Sequence, residues 1–229
     1  MISVLTLTYQ RHHILEEAIQ SFLLQDFEED SEMVIINDSP IVEYVYDHPK
    51  IKIINCKERF KSIGEKLEWG YKQCKYDYIY RLDDDDLLTP WALSLTKKYI
   101  EENSVYEVYR SQYHYFYSEN NYIKICDNIN NGNCFTKSYL NRITFPDKSG
   151  DEDVDIVFGN KSNVIIIDKG KYTMIYRWGM STYHISGMGI NPNQEIMSRT
   201  DDIVKLGETG IIVLSPHFKK DYYSELPHV

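Results

Sequence analysis

Hydrophobic positions in the first third of the chain alternate between two spacings. Residues 2–7 form a short β-rich run, and residues 14–23 then place apolar side chains at helical spacing. Further β-rich runs cover residues 33–36, 51–54 and 78–82, and a helix is predicted from about Ser62 to Cys74. Strands that alternate with helices predict an α/β fold, in which a mostly parallel central sheet is flanked by helices.

The second half of the chain is richer in β-strand patterns. Residues 107–117 and 121–125 predict a hairpin around residues 118–120, and residues 164–167 and 172–176 predict two more strands. The aromatic residues of this hairpin form either its core or a platform for a sugar, and the core is the better-supported interpretation. Because no linker or repeat interrupts the pattern, we expect one domain over residues 1–229. Periodicity weakens after Gly187, which predicts a tail that is partly a lid or partly loose.

Three polar clusters follow predicted strands of this sheet. Thr8 and Tyr9 end the first strand, Asn37 and Asp38 end the second, and four aspartates at residues 83–86 follow the strand at 78–82. In open parallel sheets, ligands bind beyond the carboxyl ends of the strands. We therefore expect the three clusters to meet at one edge.

Charge and composition narrow the class of partner. The 229 residues include 25 Lys plus Arg and 35 Asp plus Glu, a formal charge of −10, which argues against nucleic acid or an anionic membrane as the main partner. No apolar run approaches the roughly 18 residues of a membrane span, and Arg11 interrupts the first apolar run too early for a signal peptide. We expect a cytoplasmic protein without a transmembrane segment. The four cysteines lack a C-x-x-C pair, so we expect reduced thiols.

The aspartate run is the most informative chemical feature. Adjacent carboxylates repel one another, and a hard cation such as Mg²⁺ or Mn²⁺ removes that cost by binding their oxygens. If the strand continues through the run, Asp83 and Asp85 face one side while Asp84 and Asp86 face the other. A solvated acidic loop, or acids that cap the helix after Pro90, is the alternative.

Taken together, four blocks resemble the inverting, family 2 type of nucleotide-sugar glycosyltransferase, which has the GT-A fold. The blocks are residues 3–39, 64–70, 82–90 and 150–156, and they occur in the family's order over roughly residues 1–190. The sequence departs from the family signatures at Leu7, Gln10 and Asn37, and Leu67 and Glu68 replace an Arg-Asn pair. The resemblance implies a nucleotide-sugar-binding half at about residues 1–105, an acceptor and catalytic half at about 106–190, and a tail at 191–229.

The resemblance also implies a donor site. Thr8, Tyr9 and Asp38 are implied to hold the base, and Arg11 belongs to the same signature. A carboxylate can accept the imide N–H of uracil, and a tyrosine ring can lie against a base. Lys66 is expected either to pair with a donor phosphate or to be solvated on its helix.

For the metal, the resemblance implies Asp85 as the principal ligand, with Asp83 and Asp84 near the ribose and the metal. His184 is the candidate to complete the metal shell or to touch the diphosphate. The implied cofactor is Mn²⁺ or Mg²⁺.

The second acidic cluster, at residues 150–156, resembles the E-D motif of the family. This implies that Asp153 is the catalytic base, with Glu152 as the fallback, because an inverting transfer needs a carboxylate to take the proton of the attacking hydroxyl. Acids that favour a helix N-terminus are the structural alternative.

The sequence thus predicts a metal-dependent glycosyltransferase that moves a sugar, with inversion, from a nucleoside diphosphate donor to a hydroxyl acceptor on a glycan or glycoconjugate. A UDP-sugar is the expected donor. One alternative is a sugar nucleotidyltransferase, although the loop after the first strand lacks its expected glycines. The other is a non-catalytic module that binds a sugar or Ca²⁺.

Overall fold

The structure, a computed structural model, describes residues 1–118, 121–127, 131–149, 152–167, 171–178 and 210–226; the side chains of 118, 121–127 and 178 are excepted. The helices are α1 (His12–Leu23), α2 (Ile63–Tyr71), α3 (Ala92–Glu102), α4 (Lys137–Arg142) and α5 (Glu152–Phe158). The strands are β1 (Ile2–Thr8), β2 (Ser31–Asn37), β3 (Glu43–Val45), β4 (Ile51–Asn55), β5 (Tyr78–Arg81), β6 (Leu87–Leu88), β7 (Val108–Ser111), β8 (Tyr113–Ser118), β9 (Asn121–Asp127), β10 (Asn133–Thr136), β11 (Val164–Ile167), β12 (Met174–Trp178) and β13 (Ile211–Val213).

A seven-stranded sheet in the order β11-β7-β10-β5-β1-β2-β4 forms the centre of the fold. Strands β4, β2, β1 and β5 are parallel neighbours, whereas β10 runs antiparallel to both β5 and β7. The predicted α/β class with a mostly parallel sheet is therefore confirmed. Because β2, β1 and β5 lie side by side, their carboxyl ends bring residues 8–9, 37–38 and 83–86 to one edge.

Helices α1 and α2 follow directly from local sequence. Apolar residues of α1 at helical spacing, Ile14, Ala18 and Phe22 among them, are buried in the core. At the start of α2, the Ser62 side chain accepts from the Glu65 backbone N–H at 3.1 Å, which caps the helix. A Cβ at Gly64 would lie 1.8 Å from the Pro146 carbonyl oxygen, so the close approach of that segment requires glycine.

The predicted hairpin is only partly correct. The later part of its first arm forms β8, and its second arm forms β9. These strands pair antiparallel in a four-stranded sheet ordered β6-β12-β8-β9. Residues 108–111 instead form β7 of the central sheet. The first arm therefore divides between two sheets at a bend at Gln112. Tyr115 and Tyr117 are buried in a cluster with Tyr172 and Tyr222, which favours the core interpretation of these aromatics.

The described C-terminal segment, residues 210–226, packs on the rest of the fold. Strand β13 pairs parallel with β3, and Tyr222 and Leu226 belong to the same buried cluster as Tyr115 and Leu87. The lid or loose tail predicted after Gly187 falls largely on residues outside the described ranges. Cys56, Cys74 and Cys134 are free thiols. Among the described helices, none is both long and apolar enough to cross a bilayer.

Candidate active site

The four aspartates form a tight turn immediately after β5, here named the acid turn (residues 83–86). Strand β5 ends at Arg81, and the Asp86 backbone N–H donates to the Asp83 carbonyl at 3.2 Å. The strand therefore does not continue through the run, and the alternating arrangement expected of a strand does not form. Carboxylate oxygens of Asp83, Asp85 and Asp86 instead lie within 4.8 Å of one another.

Arg11 binds one side of the acid turn. Its guanidinium donates to both carboxylate oxygens of Asp84 and, at 3.2 Å, to Asp85. Burial alone lowers the pKa of Arg11, but attraction by Asp84, Asp85 and Asp83 outweighs it, and the pKa is raised. Burial raises the pKa of Asp84 to about 6, although Arg11 opposes the shift. Both carboxylate oxygens of Asp84 therefore bind Arg11, whereas Asp85 also lies close to the carboxylates of Asp83 and Asp86.

Asp83 and Asp86 meet at Asn131. The Asn131 amide donates to Asp83 at 2.9 Å and to Asp86 at 2.6 Å, and the Arg177 backbone N–H donates to Asp86 at 2.9 Å. Burial and then the like charges of Asp85 and Asp83 raise the pKa of Asp86 well above its ordinary value. Burial likewise raises the pKa of Asp83, against the attraction of Arg81. Three mutually repelling oxygen donors in one place suit a hard divalent cation.

Arg81 joins the acid turn to α5. This buried guanidinium donates to Glu152 at 2.9 Å, and it forms ion pairs with Asp83, at 3.2 Å, and with Asp153. Glu152 is buried and Asp153 is partly exposed, both in the first turn of α5. One side chain thus holds both candidate bases beside the acid turn. Acids in a first helical turn also fit the capping alternative, so position alone does not separate the two roles.

Asp38 follows strand β2 and Lys66 lies on helix α2. The two residues are named here the base side, because a nucleobase contact is predicted at Asp38. Both side chains are buried, and the Lys66 ammonium donates to Asp38 at 2.5 Å and to the Thr8 carbonyl at 2.8 Å. Burial lowers the pKa of Lys66, and Asp38 offsets part of this shift. Asp38 also accepts from the Phe60 backbone N–H at 3.2 Å. Lys66 is therefore neither solvated nor placed at the acid turn, which corrects the solvated alternative.

Tyr9 and Gln10 occupy the bend between β1 and α1. The Arg59 guanidinium lies over the Tyr9 ring, 4.1 Å from its centroid. Gln10 is buried and has a φ of 54°, a left-handed conformation that is uncommon for a residue other than glycine. Its amide nitrogen donates to the Ser39 hydroxyl at 3.4 Å. The bend thus joins the first two polar clusters through side chains.

Asn37 has a structural role at the position where it departs from the family signature. Its amide donates to the Val42 carbonyl at 2.8 Å and to Asn55 Oδ1 at 2.9 Å, and its own oxygen accepts from the Ser39 backbone N–H at 3.2 Å. The side chain therefore fixes the loop after β2. Its hydrogen bonds are made with the protein itself.

Sequence reasoning missed three residues that organise this edge: Arg81, Asn131 and Arg177. The only local signal was the position of Arg81, a charged residue at the end of an apolar strand. Asn131 and Arg177 lie 45 residues or more from the acid turn in sequence, and nothing near them indicates the contact. His184, the proposed metal or diphosphate contact, lies outside the described residues.

The arrangement of acids at the carboxyl edge of a GT-A-like sheet agrees with sequence comparison. The chain belongs to glycosyl transferase family 2, whose pattern it matches over residues 3–161. No curated protein sequence matches the chain.

Solved structures share the fold. S. aureus TarS in complex with UDP-GlcNAc has a TM-score of 0.61 and 16% identity, covering 77% of this chain and 58% of that chain. TarS in complex with UDP gives 0.60 and 16%, covering 79% and 61%. The mannosyltransferase PcManGT from Pyrobaculum calidifontis, in complex with GDP-Man and Mn²⁺, gives 0.55 and 15%, covering 76% and 56%. This chain thus spans less than two thirds of these relatives, and the likeness establishes the GT-A fold.

Proposed function

We propose that the protein transfers a sugar from a UDP-sugar to a hydroxyl acceptor on a glycan or glycoconjugate, with inversion and with the help of a divalent cation. The observation that carries this proposal is the convergence of Asp83, Asp85 and Asp86 beside Asp153, joined by Arg81, in a family 2 glycosyltransferase. Family membership also favours this function over a nucleotidyltransferase or a non-catalytic module.

The base side supports a uracil-containing donor. Asp38 is held from two directions, by Lys66 and by the Phe60 backbone, so its carboxylate is fixed in place as an acceptor for an imide N–H. The Tyr9 ring, which contacts the Arg59 guanidinium, would lie against the base. Complexes of TarS with UDP and with UDP-GlcNAc show that a related fold takes this class of donor, whereas PcManGT binds GDP-Man.

The acid turn supports a cation site. Asp83, Asp85 and Asp86 would hold Mn²⁺ or Mg²⁺, with Asp84 fixing Arg11 beside them; His184 stays a proposed contact. When bound, the cation supplies positive charge that stabilises the diphosphate leaving group. The structural support is geometric: carboxylate oxygens of Asp83, Asp85 and Asp86 lie within 4.8 Å of one another, and a cation would relieve their mutual repulsion.

In the proposed transfer, Asp153 is the general base. Its carboxylate takes the proton of the acceptor hydroxyl while the acceptor oxygen forms a bond to the anomeric carbon. The bond from that carbon to the diphosphate oxygen breaks, and its electron pair leaves with UDP. Arg81 pairs with both Asp83 and Asp153, so it would hold the base next to the residues that would bind the cation.

The test is a screen for nucleotide release from UDP-, GDP- and dTDP-sugars, with and without Mn²⁺, in the presence of glycan acceptors. We expect release from UDP-sugars that requires the cation. Preferential release from a GDP-sugar would overturn the proposed donor. Full activity in the presence of a chelator would overturn the proposed metal dependence.

A further inference from the structure

Arg177 contacts the acid turn at two points from a distant part of the chain. Its Nε–H donates to the Asp85 carbonyl, and its backbone N–H donates to the Asp86 carboxylate at 2.9 Å. Arg177 is 2% exposed. A single buried residue thus holds both the main chain and a side chain of the turn that carries the proposed cation ligands.

Glu17 holds the other end of Arg177. This carboxylate lies in the middle of α1 with no exposed surface, and it accepts from Arg177 Nη1 at 2.5 Å. Burying a charged residue costs several kcal/mol, and a buried ion pair gains little over apolar residues of the same size. Stability alone is therefore a poor explanation for this pair. The hydrogen bond from Arg177 to Glu17 fixes the orientation of the guanidinium.

The C-terminal segment completes the arrangement. The Tyr222 hydroxyl and the Lys219 backbone N–H donate to the same Glu17 oxygen, at 2.9 and 3.0 Å. The Tyr222 ring packs against Tyr117 and Phe218, so the hydroxyl is held in place by the aromatic cluster. A continuous chain of contacts therefore runs from residues 219–222 through Glu17 and Arg177 to the acid turn.

We infer that Arg177 is a positioning residue for the cation site and that Glu17 and Tyr222, through Arg177, make the C-terminal segment part of that site. This inference rests on the proposed function, because it assigns these residues to the cation that function requires. The segment acts at a distance: neither Glu17 nor Tyr222 contacts an acid-turn carboxylate by the bonds described above. The affinity for the cation should therefore depend on a hydroxyl that belongs to the last twenty residues of the chain.

The test compares two tyrosines that are neighbours in sequence. Tyr222→Phe removes the hydroxyl that binds Glu17 and keeps the ring. Tyr223→Phe removes a hydroxyl that donates to the Leu88 carbonyl at 2.8 Å and has no bond to Glu17 or Arg177. Calorimetry measures Mn²⁺ binding at a fixed concentration of UDP, well below the melting temperature of each variant. We expect Mn²⁺ affinity to fall about fivefold in Tyr222→Phe, on the order of one hydrogen bond to a charged group, and to stay unchanged in Tyr223→Phe.

A second variant, Arg177→Lys, keeps the charge but cannot reach both Glu17 and the Asp85 carbonyl. We expect its loss of Mn²⁺ affinity to exceed that of Tyr222→Phe, while its affinity for UDP in the presence of a chelator stays that of the wild type. If the wild type binds Mn²⁺ and both Tyr222→Phe and Arg177→Lys bind it equally well, the inference is wrong and the proposed function stands. If the wild type itself does not bind Mn²⁺, both are wrong.

Discussion

The base side and the acid turn lie at the same edge of the sheet, but they carry buried charge differently. On the base side, one cation and one anion, Lys66 and Asp38, bind each other. At the acid turn, the cations are Arg11, Arg81 and Arg177. They face the four aspartates and also Glu17, Glu152 and Asp153, so the region carries a net negative charge. The base side is electrostatically complete by itself. We expect the acid turn to gain stability from an added cation.

The two regions also differ in where their partners come from. Lys66 and Asp38 belong to the first third of the chain and are 28 residues apart. Arg11, Arg81 and Arg177 come from the start of α1, the end of β5 and strand β12. The acid turn therefore depends on the whole fold, and remote substitutions should alter it more than they alter the base side.

The largest expected effect separates these two kinds of charge. Arg81→Met and Lys66→Met each leave buried carboxylates without their cation, and we expect each to lower the free energy of unfolding by about 3–5 kcal/mol. Saturating Mn²⁺ should restore part of the loss in Arg81→Met and none of it in Lys66→Met. Urea unfolding with and without Mn²⁺ measures both. Equal rescue of the two variants would remove the distinction between the regions.

The next effect concerns the proposed general base, Asp153, which pairs with Arg81 beside the acid turn. Asp153→Asn keeps the size of the side chain but removes the basic oxygen, so we expect kcat to fall about 10²-fold or more while donor binding stays nearly unchanged. Steady-state kinetics and UDP calorimetry on the same preparation check this.

Glu152→Gln is the matched control for Asp153→Asn, because both residues bind Arg81, and its kcat should fall less. The capping alternative gives the reverse pattern: a small loss of stability with near-normal turnover, since Asn caps a helix almost as well as Asp. Wild-type kcat in Asp153→Asn would end its assignment as the base.

A smaller effect is expected for the cation ligands. Asp85→Ala should weaken Mn²⁺ binding in the presence of UDP by about 10- to 100-fold, because ligand charge sets the affinity of a hard-cation site. Asp155→Ala is the control, since Asp155 is a half-buried acid of α5 that pairs with Lys148 at 2.7 Å. Calorimetry decides, and equal affinities in the two variants would exclude Asp85 from the site.

On the base side, the expected effect is one of selectivity. UDP should raise the melting temperature more than CDP or ADP at equal concentration, with about a tenfold preference in affinity, or about 1.4 kcal/mol. Asp38→Ala should erase the preference, because cytosine and adenine lack the imide N–H from which Asp38 is proposed to accept a hydrogen bond. Equal shifts from all three nucleotides would contradict the uracil contact.

Local patterns predicted those parts of the molecule whose partners are close in sequence. Strands β1 and β2 and helices α1 and α2 have clear periodicity, and the meeting of Thr8, Asp38 and the acid turn follows from parallel strand order alone. The division of the first hairpin arm at Gln112 was not predictable, because residues 108–118 have uniform strand propensity. Which sheet each half joins depends on β10 and β12, which come later in the chain.

The site shows the same limit. The sequence indicated the acid turn because four aspartates occur together. It did not predict how their side chains are arranged, because the chain turns after Arg81 and does not continue as a strand. The role of Arg177 depends on packing between β12, α1 and the C-terminal segment. No spacing rule connects residues that far apart.

The smallest expected effect tests whether Asn37, which departs from the family signature, stabilises the fold or contacts the donor. Asn37→Asp restores the acid of the signature but removes the amide that donates to the Val42 carbonyl and to Asn55. Asn55 cannot compensate by turning its amide, because its oxygen accepts from the Tyr44 N–H at 2.9 Å and its nitrogen donates to the Tyr44 carbonyl at 3.0 Å. We expect a loss of about 1 kcal/mol in the free energy of unfolding, measured in urea. UDP affinity should stay within twofold of the wild type. An Asn37→Asp variant that is as stable as the wild type and binds UDP more tightly would instead place this residue in the donor site.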